Sequence, residues 1–265
     1  MLGGPEGVAN LFLAHCALGC AFCQNSQISQ NPGKDLISTL EKPEDLLGLL
    51  DIFFAENPDL KALGLVTAGH YVPLLWEPLQ VFRTHHPQVR IIYNSGGYER
   101  PDVLATLENL VDVYLPDFKF SLPDLSNTLC QASDYPKRAL TALREMVRQK
   151  GCRLRLDEEG RATTGVLVRH LVLPGHMDNS LQTLEILHDT FGPGLPLSLM
   201  SQYHPGVTLP QTELNRPLFP EEYQTVLKRA QELGFLTLLA QALDSVHTCL
   251  PDFAAEDVFA ERSRS

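Results

Sequence analysis

Residues 15–26 read HCALGCAFCQNS, at the end of a short apolar run, NLFLAH at 10–15. Cys16, Cys20 and Cys23, three of the chain's six cysteines, fall here at intervals of four and three residues. The run has strand length, and the cysteines lie on the loop that follows it. A strand with reactive side chains just past its carboxyl end is the unit from which parallel α/β folds build their sites.

Working outward, apolar runs of strand length recur at 60–67 (LKALGLVT), 89–95 (VRIIYNS), 111–118 (VDVYLPDF), 165–173 (GVLVRHLVL), 196–203 (PLSLMSQY) and 235–243 (FLTLLAQAL). Several are apolar on both faces, as strands of a buried parallel sheet are. Between them lie helical patterns with proper ends. YPKRALTALREMVRQKG has Pro136 in the first turn, Ala139, Leu140, Leu143, Met146 and Val147 on one face, and Gly151 as its stop. FPEEYQTVLKRAQELG opens at Pro220 with Glu221 and Glu222 at the positive end of the dipole, lines Tyr223, Val226, Leu227 and Ala230 on one face, and closes at Gly234. Stretches 42–57 and 73–86 behave similarly. The alternation predicts an α/β fold of mostly parallel strands, and six or so units predict a partial or full (β/α) barrel. No repeat, linker or compositional break is present, so one domain over 1–253 is expected, with a loose tail at 254–265.

Composition narrows the function. The 265 residues are 44% hydrophobic and 20% charged, as in a globular protein, and the net charge of −11 argues against a nucleic-acid binder, which needs a basic face. No stretch approaches the ~18 consecutive apolar residues of a membrane span. The N-terminal residues lack the basic start and apolar core of a signal peptide, which makes a cytoplasmic, reducing location the expectation. Clustered cysteines there serve as metal ligands or redox groups, whereas Cys130, Cys152 and Cys249 are scattered and read as ordinary free thiols.

What needs three thiolates and no more? A structural zinc site closes a tetrahedron with four donors, usually as two separated pairs, and no second CxxC pair exists here. His15 adjoins Cys16 at the strand end and is expected to point to the opposite face. A [4Fe–4S] cluster on three cysteines leaves one iron free to bind and activate a ligand, whereas a cluster on four mainly transfers electrons.

The spacing CxxxCxxC after an apolar strand, with Phe22 before the last cysteine, resembles the radical S-adenosylmethionine (SAM) superfamily. In order along the chain, CAFCQNSQISQ, YNSGGYE, VDVYLPDFKFS, VRHLVLPGH, LSLMSQYHP and TELNRPL resemble the uncharacterised branch related to pyruvate formate-lyase activating enzymes, over roughly 10–253. The resemblance implies a partial (β/α) barrel of the radical SAM type. It also implies a cluster on Cys16, Cys20 and Cys23 whose open iron chelates SAM, and reductive cleavage of SAM to a 5′-deoxyadenosyl radical that abstracts hydrogen. Members of this branch usually carry a further cysteine-containing segment before the first strand. The sequence here begins almost at that strand, so a short variant or an upstream start is expected, and a second iron–sulfur site is not.

The strand ends supply candidates for a SAM pocket. LVTAGHY at 65–71 brings Thr67 and His70 to the place where the superfamily commonly has a Gly-Gly-Glu-type turn. Asn94 ends the next strand before two glycines; by resemblance it joins Asp117, Lys119, Arg169 and His204 as binding candidates. Asp117 and Lys119 are two apart in an extended segment and share a side, with Phe118 and Phe120 facing the helices. Arg169 lies among Val and Leu, where a charge needs a partner, either an internal aspartate or the SAM carboxylate. His170 is expected to face a helix, and His204 to reach the ribose or adenine.

The sequence therefore points to a radical SAM oxidoreductase. The resemblance suggests a glycine in a partner enzyme, which becomes a glycyl radical, as its substrate, with an electron donor such as flavodoxin or ferredoxin. Modification of a small molecule or peptide is the first rival, and a non-catalytic zinc or iron–sulfur protein the second.

Overall fold

The computed structural model describes residues 2–30, 42–204, 208–243, 251–255 and 258. Cys249 and most of the expected tail lie outside the described residues. β1 (Ala9–Phe12), β2 (Ala62–Val66), β3 (Arg90–Ser95) and β4 (Val113–Pro116) pair in that order, all parallel. β5 (Arg155–Leu156) is antiparallel to β6 (Ala162–Val166), which is itself parallel to β4. β7 (Val168–Leu171), β8 (Leu197–Met200) and β9 (Leu238–Ala240) form a second, parallel sheet.

The expected strand at 165–173 is thus divided. Leu167 N–H donates to Tyr114 of β4, whereas Val168 N–H donates to Pro196 beside β8, so the chain changes partner between adjacent residues. The two sheets stay joined at their edges, because Phe118 N–H donates to Arg169 O at 2.9 Å and Asp117 bridges Arg169 in parallel register. The result is a partial barrel of mostly parallel strands. Gly165 enters this switch at φ 138°, where a Cβ would stand 2.3 Å from Arg153 O, so glycine is required there.

The period-two alternation of the strands separates two cores. Ala62, Ile92, Val113, Leu115 and Leu167 form one buried cluster with the partly buried Leu2, Val8 and Leu154, filling the lower barrel. Leu63, Leu65, Ile91, Tyr93 and Tyr114 belong to the other, shared with the helices. Those helices are α1 (Ser26–Ser29), α2 (Pro43–Glu56), α3 (Val72–His85), α4 (Pro101–Thr106), α5 (Pro123–Cys130), α6 (Tyr135–Lys150), α7 (Met177–Phe191) and α8 (Pro220–Glu232). α2, α3, α6 and α8 match the sequence patterns. In α6 the buried face is Tyr135, Ala139, Ala142, Leu143 and Met146, with Leu140 and Val147 half-buried.

α7 escapes the periodicity argument because its buried face is partly polar: Asn179, Ser180 and Thr183 are all buried. Leu184 and Leu187 anchor it in the core, and hydrogen bonds hold the polar part of that face. Ser121 N–H donates to Asn179 Oδ1 at 2.9 Å, and Asn179 Nδ2 donates to Lys119 O at 3.0 Å. His170, expected to face a helix, does so: its Nδ1 lies 2.7 Å from Phe118 O and its Nε2 2.8 Å from Ser180 Oγ. The neutral ring satisfies both, donating from Nδ1 to the carbonyl and accepting the serine proton at Nε2.

Burial pushes the His170 pKa down from 6.5 to about 4. Below 6.5 the unfolded chain takes up a proton that the native ring refuses. Its contribution to stability is therefore full above 6.5, falls as the pH drops, and is gone below about 4. The total involved is of order 3 kcal/mol. Urea melts of wild type and His170→Gln from pH 7.5 to 4 are expected to converge as the pH falls. A difference that stays constant across that range would show that His170 is not buried neutral.

Candidate functional site

The cysteine loop is fixed at both ends and in the middle. Leu13 N–H donates to Val66 O, and the chain then turns at His15, which adopts φ 66° and donates its N–H to Ile28 O at 2.9 Å. The His15 side chain is exposed and does not line the cavity of the three cysteines; it sits in this turn, three residues past the end of β1, so strand alternation does not place it. Ala21 N–H donates to Leu129 O at 2.8 Å, docking the loop on the end of α5, and Gln30 Nε2 donates to Cys20 O at 2.8 Å. On the other side the His70 ring bonds Ala14 O at 2.8 Å.

Cys16, Cys20 and Cys23 line one cavity of about 350 Å³ at the carboxyl ends of the strands. The same cavity collects Thr67 after β2, Asn94 and Ser95 from β3, Asp117 and Lys119 after β4, and Arg169 from β7. Five of the seven binding candidates, Thr67, Asn94, Asp117, Lys119 and Arg169, therefore share a site with the three cysteines. His70 lies in an adjoining cavity of about 180 Å³. His204 is half-buried and lines neither.

The charges form a connected group. Arg169 Nη2 lies 2.6 Å from Asp117 Oδ1 and donates to Asn94 Oδ1 at 2.6 Å, while Lys119 Nζ pairs with Asp117 Oδ2. The internal aspartate partner considered for Arg169 is thus present. Burial alone would raise the Asp117 pKa, but Arg169 and Lys119 together hold it below the usual carboxylate value. Lys119 is itself held above its ordinary value: Asp117, and then Cys20, outweigh the effect of burial. Two cations share one carboxylate, which leaves a unit of positive charge facing the cavity. Arg169 also keeps a buried Nε–H without a hydrogen-bond partner. An anionic group, a carboxylate above all, is the complement of such a site.

Burial raises Cys16, and the hydrogen bond with Cys130, followed by burial, raises Cys20 well above the ordinary thiol value. Tyr135 braces the mouth. Its hydroxyl lies 2.8 Å from Gly96 O and 2.9 Å from Asp117 O, and it accepts the Lys119 N–H at 2.9 Å.

Several contributors had no signal in the sequence. Gln24 and Gln202 line the cavity and exchange hydrogen bonds, Gln24 Nε2 to Gln202 O at 2.7 Å and Gln202 Nε2 to Gln24 Oε1 at 3.0 Å. Gln241 Nε2 extends the chain of amides to Gln202 Oε1 at 2.6 Å. These amides join the cysteine loop to β8 and β9, although β1 and β9 do not pair. Glu99 lines the smaller cavity, where burial pushes its pKa up to about 7 and Ser95 Oγ donates to it at 3.1 Å. It stands in the string YNSGGYE, yet only its depth behind Gly69 marks it, and depth has no sequence signature.

No family model matches the sequence. An uncharacterized protein of Methanocaldococcus jannaschii, MJ0674, is 25% identical over 223 residues, which are 84% of this chain and 61% of that protein. The chain thus spans about three-fifths of the length of that relative. Among solved structures, anSMEcpe with bound AdoMet has a TM-score of 0.55 at 11% identity, over 88% of this chain and 64% of its own. Streptococcus suis SuiB bound to the precursor peptide SuiA has a TM-score of 0.57 at 8% identity, over 95% of this chain and 53% of its own. With its strands parallel except at β5 and its cysteine loop directly after β1, the chain has the fold of the radical SAM enzymes.

Proposed function

We propose that this chain is a radical SAM enzyme that holds a [4Fe–4S] cluster on Cys16, Cys20 and Cys23 and binds SAM in the adjoining cavity. One observation carries the reading. Three thiols on a single loop and a net cationic Asp117–Lys119–Arg169 group line the same cavity at the strand ends. Cys16, Cys20 and Cys23 would hold the cluster, and bound there it would supply the electron for reductive cleavage of SAM and, through the 5′-deoxyadenosyl radical, hydrogen abstraction.

The chain's own residues do the positioning. Three soft thiolate donors suit iron–sulfur chemistry and leave one iron without a protein ligand. Arg169 and Lys119 supply charge for the SAM carboxylate, Asp117 fixes their separation, and Asn94 and Thr67 add polar groups at the same rim. His70 acts through the loop, by its bond to Ala14 O. His204 is given no cofactor contact in this reading. The apolar lower barrel closes the cavity from beneath and keeps water from the reacting centre.

The substrate class that this reading favours is a protein or peptide segment, with a glycine of a glycyl radical enzyme as the specific case and flavodoxin or ferredoxin as electron donor. The fold-level likeness to SuiB with its precursor peptide supports a peptide-sized substrate. A metabolite is the alternative. Against a zinc protein stands the donor set: three cysteines on one loop with no second CxxC pair, where a structural zinc site takes four donors, usually as two separated pairs. No helix among the described residues is long and apolar enough to cross a membrane.

Anaerobic reconstitution with iron and sulfide, then dithionite and SAM, is expected to give 5′-deoxyadenosine from wild type and none from a variant with Cys16, Cys20 and Cys23 all changed to Ala. A reducible cluster that forms no product, even with candidate substrates present, would point to an electron carrier. Bound zinc in place of iron would overturn the reading. Arg169→Leu is expected to keep its cluster and bind SAM about 10- to 100-fold more weakly, roughly 1.4–2.8 kcal/mol. An unchanged SAM affinity in equilibrium binding would remove Arg169 from the site.

A further inference from the structure

Each of the three cavity sulfurs has a protein group against it. Leu18 N–H donates to Cys16 Sγ at 3.4 Å, and Ser29 Oγ lies 3.2 Å from Cys23 Sγ. The third partner is unexpected: Cys130, more than a hundred residues away in sequence, places its Sγ 2.8 Å from Cys20 Sγ. Cys130 is 2% exposed, is the last residue of α5, and does not line the cavity. It therefore stands behind Cys20, on the side away from the space that a cluster would fill.

The backbone holds it there. Gln131 ends α5 in the left-handed conformation, φ 55°, and its N–H returns to Asn127 O at 3.0 Å. Leu129, the residue before Cys130, accepts the Ala21 N–H through its carbonyl. Cys20 and Cys130 thus sit beside the two ends of one main-chain bond between the loop and the helix. A thiolate that ligates iron through one lone pair can still accept a hydrogen bond through another. Hydrogen bonds to cluster sulfurs stabilise the more negative, reduced state and raise the reduction potential.

We propose that Cys130 is a positioning residue for the cluster, donating its thiol proton to the Cys20 sulfur and setting the ease with which the cluster is reduced. This rests on the assignment of Cys16, Cys20 and Cys23 as cluster ligands. Cys130 touches neither iron nor SAM; it acts through Cys20 alone. With the three cysteines as ligated thiolates, each sulfur would have one donor against it: the Leu18 amide, the Ser29 hydroxyl and the Cys130 thiol.

The test compares reconstituted wild type, Cys130→Ala and Cys130→Ser by iron content, the spectrum of the reduced cluster, and an anaerobic redox titration without SAM. All three are expected to hold a full cluster. Cys130→Ala is expected to shift to a more negative midpoint potential, and Cys130→Ser, which keeps an O–H donor, to stay near wild type. Three coincident titrations would overturn the proposal, as would a serine variant shifted as far as the alanine one, since that would be a packing effect. Loss of iron on removing Cys130 would make it a ligand and equally overturn it.

A second measurement needs no cluster. Diamide removes one hydrogen from each of two neighbouring thiols, forming a disulfide and becoming the hydrazine. Peptide mapping of the treated cluster-free chain is expected to find Cys20 joined to Cys130, and a failure to join them would contradict the juxtaposition. A wild type that takes up no cluster would sink the functional reading as well. A wild-type cluster indifferent to Cys130 would sink the present proposal alone.

Discussion

A carboxylate at the seam between two sheets stays ionised only if cations meet it there, and Asp117 is in that position. Its neighbour Phe118 carries the backbone bond that joins β4 to β7, and its own side chain gathers Lys119 and Arg169. Remove the charge, and the two cations at the rim repel each other across the line where the sheets meet. Retain it, and Arg169 is turned toward Asn94 on β3, so that three strand ends are tied through one group. Burying such ions costs several kcal/mol each unless they are paired. The pairing is incomplete by one positive charge, and the proposed binding of an anionic group in the cavity rests on that remainder.

The sequence carried the strand–helix alternation, the four helices with clear ends and the cysteine loop, because each of these is a local pattern. It also placed Asp117 and Lys119 on one side, since two-residue alternation survives without knowledge of partners. The division at Leu167 was not legible: Val166 and Val168 look alike in sequence, and only the competition between Tyr114 and Pro196 for neighbouring amides separates them. α7 was hidden because Asn179 and Ser180 on its buried face are satisfied by Ser121 and His170, residues remote in sequence. Cys130 was read as an ordinary free thiol for the same reason.

Two kinds of order meet at the cavity. Below it, apolar side chains of alternating strand residues pack the barrel and need only shape. Around it, apolar side chains such as Phe12, Val66 and Leu171 share the wall with directed hydrogen bonds, as in Tyr135 with Gly96 and Asp117, or His70 with Ala14. Such bonds contribute about 1 kcal/mol each when made and cost more when a buried partner is left alone. The rim is consequently less tolerant of substitution than its exposure suggests, and Thr67, held at φ 62° at the end of β2, is under backbone strain as well.

The amide chain that links Gln24 to Gln202 and Gln241 also governs when the site can exist. Gln24 and Gln202 are 178 residues apart, and Gln27 meets Asp252 across 225. Contacts of such sequence separation form late, because the loop they close must be ordered first. During synthesis the cysteine loop emerges early and waits for β8 and β9 before its far wall is complete. The far wall of the cavity therefore waits for β8 and β9 to be made, and a chain interrupted before β8 carries the three cysteines with no finished pocket around them.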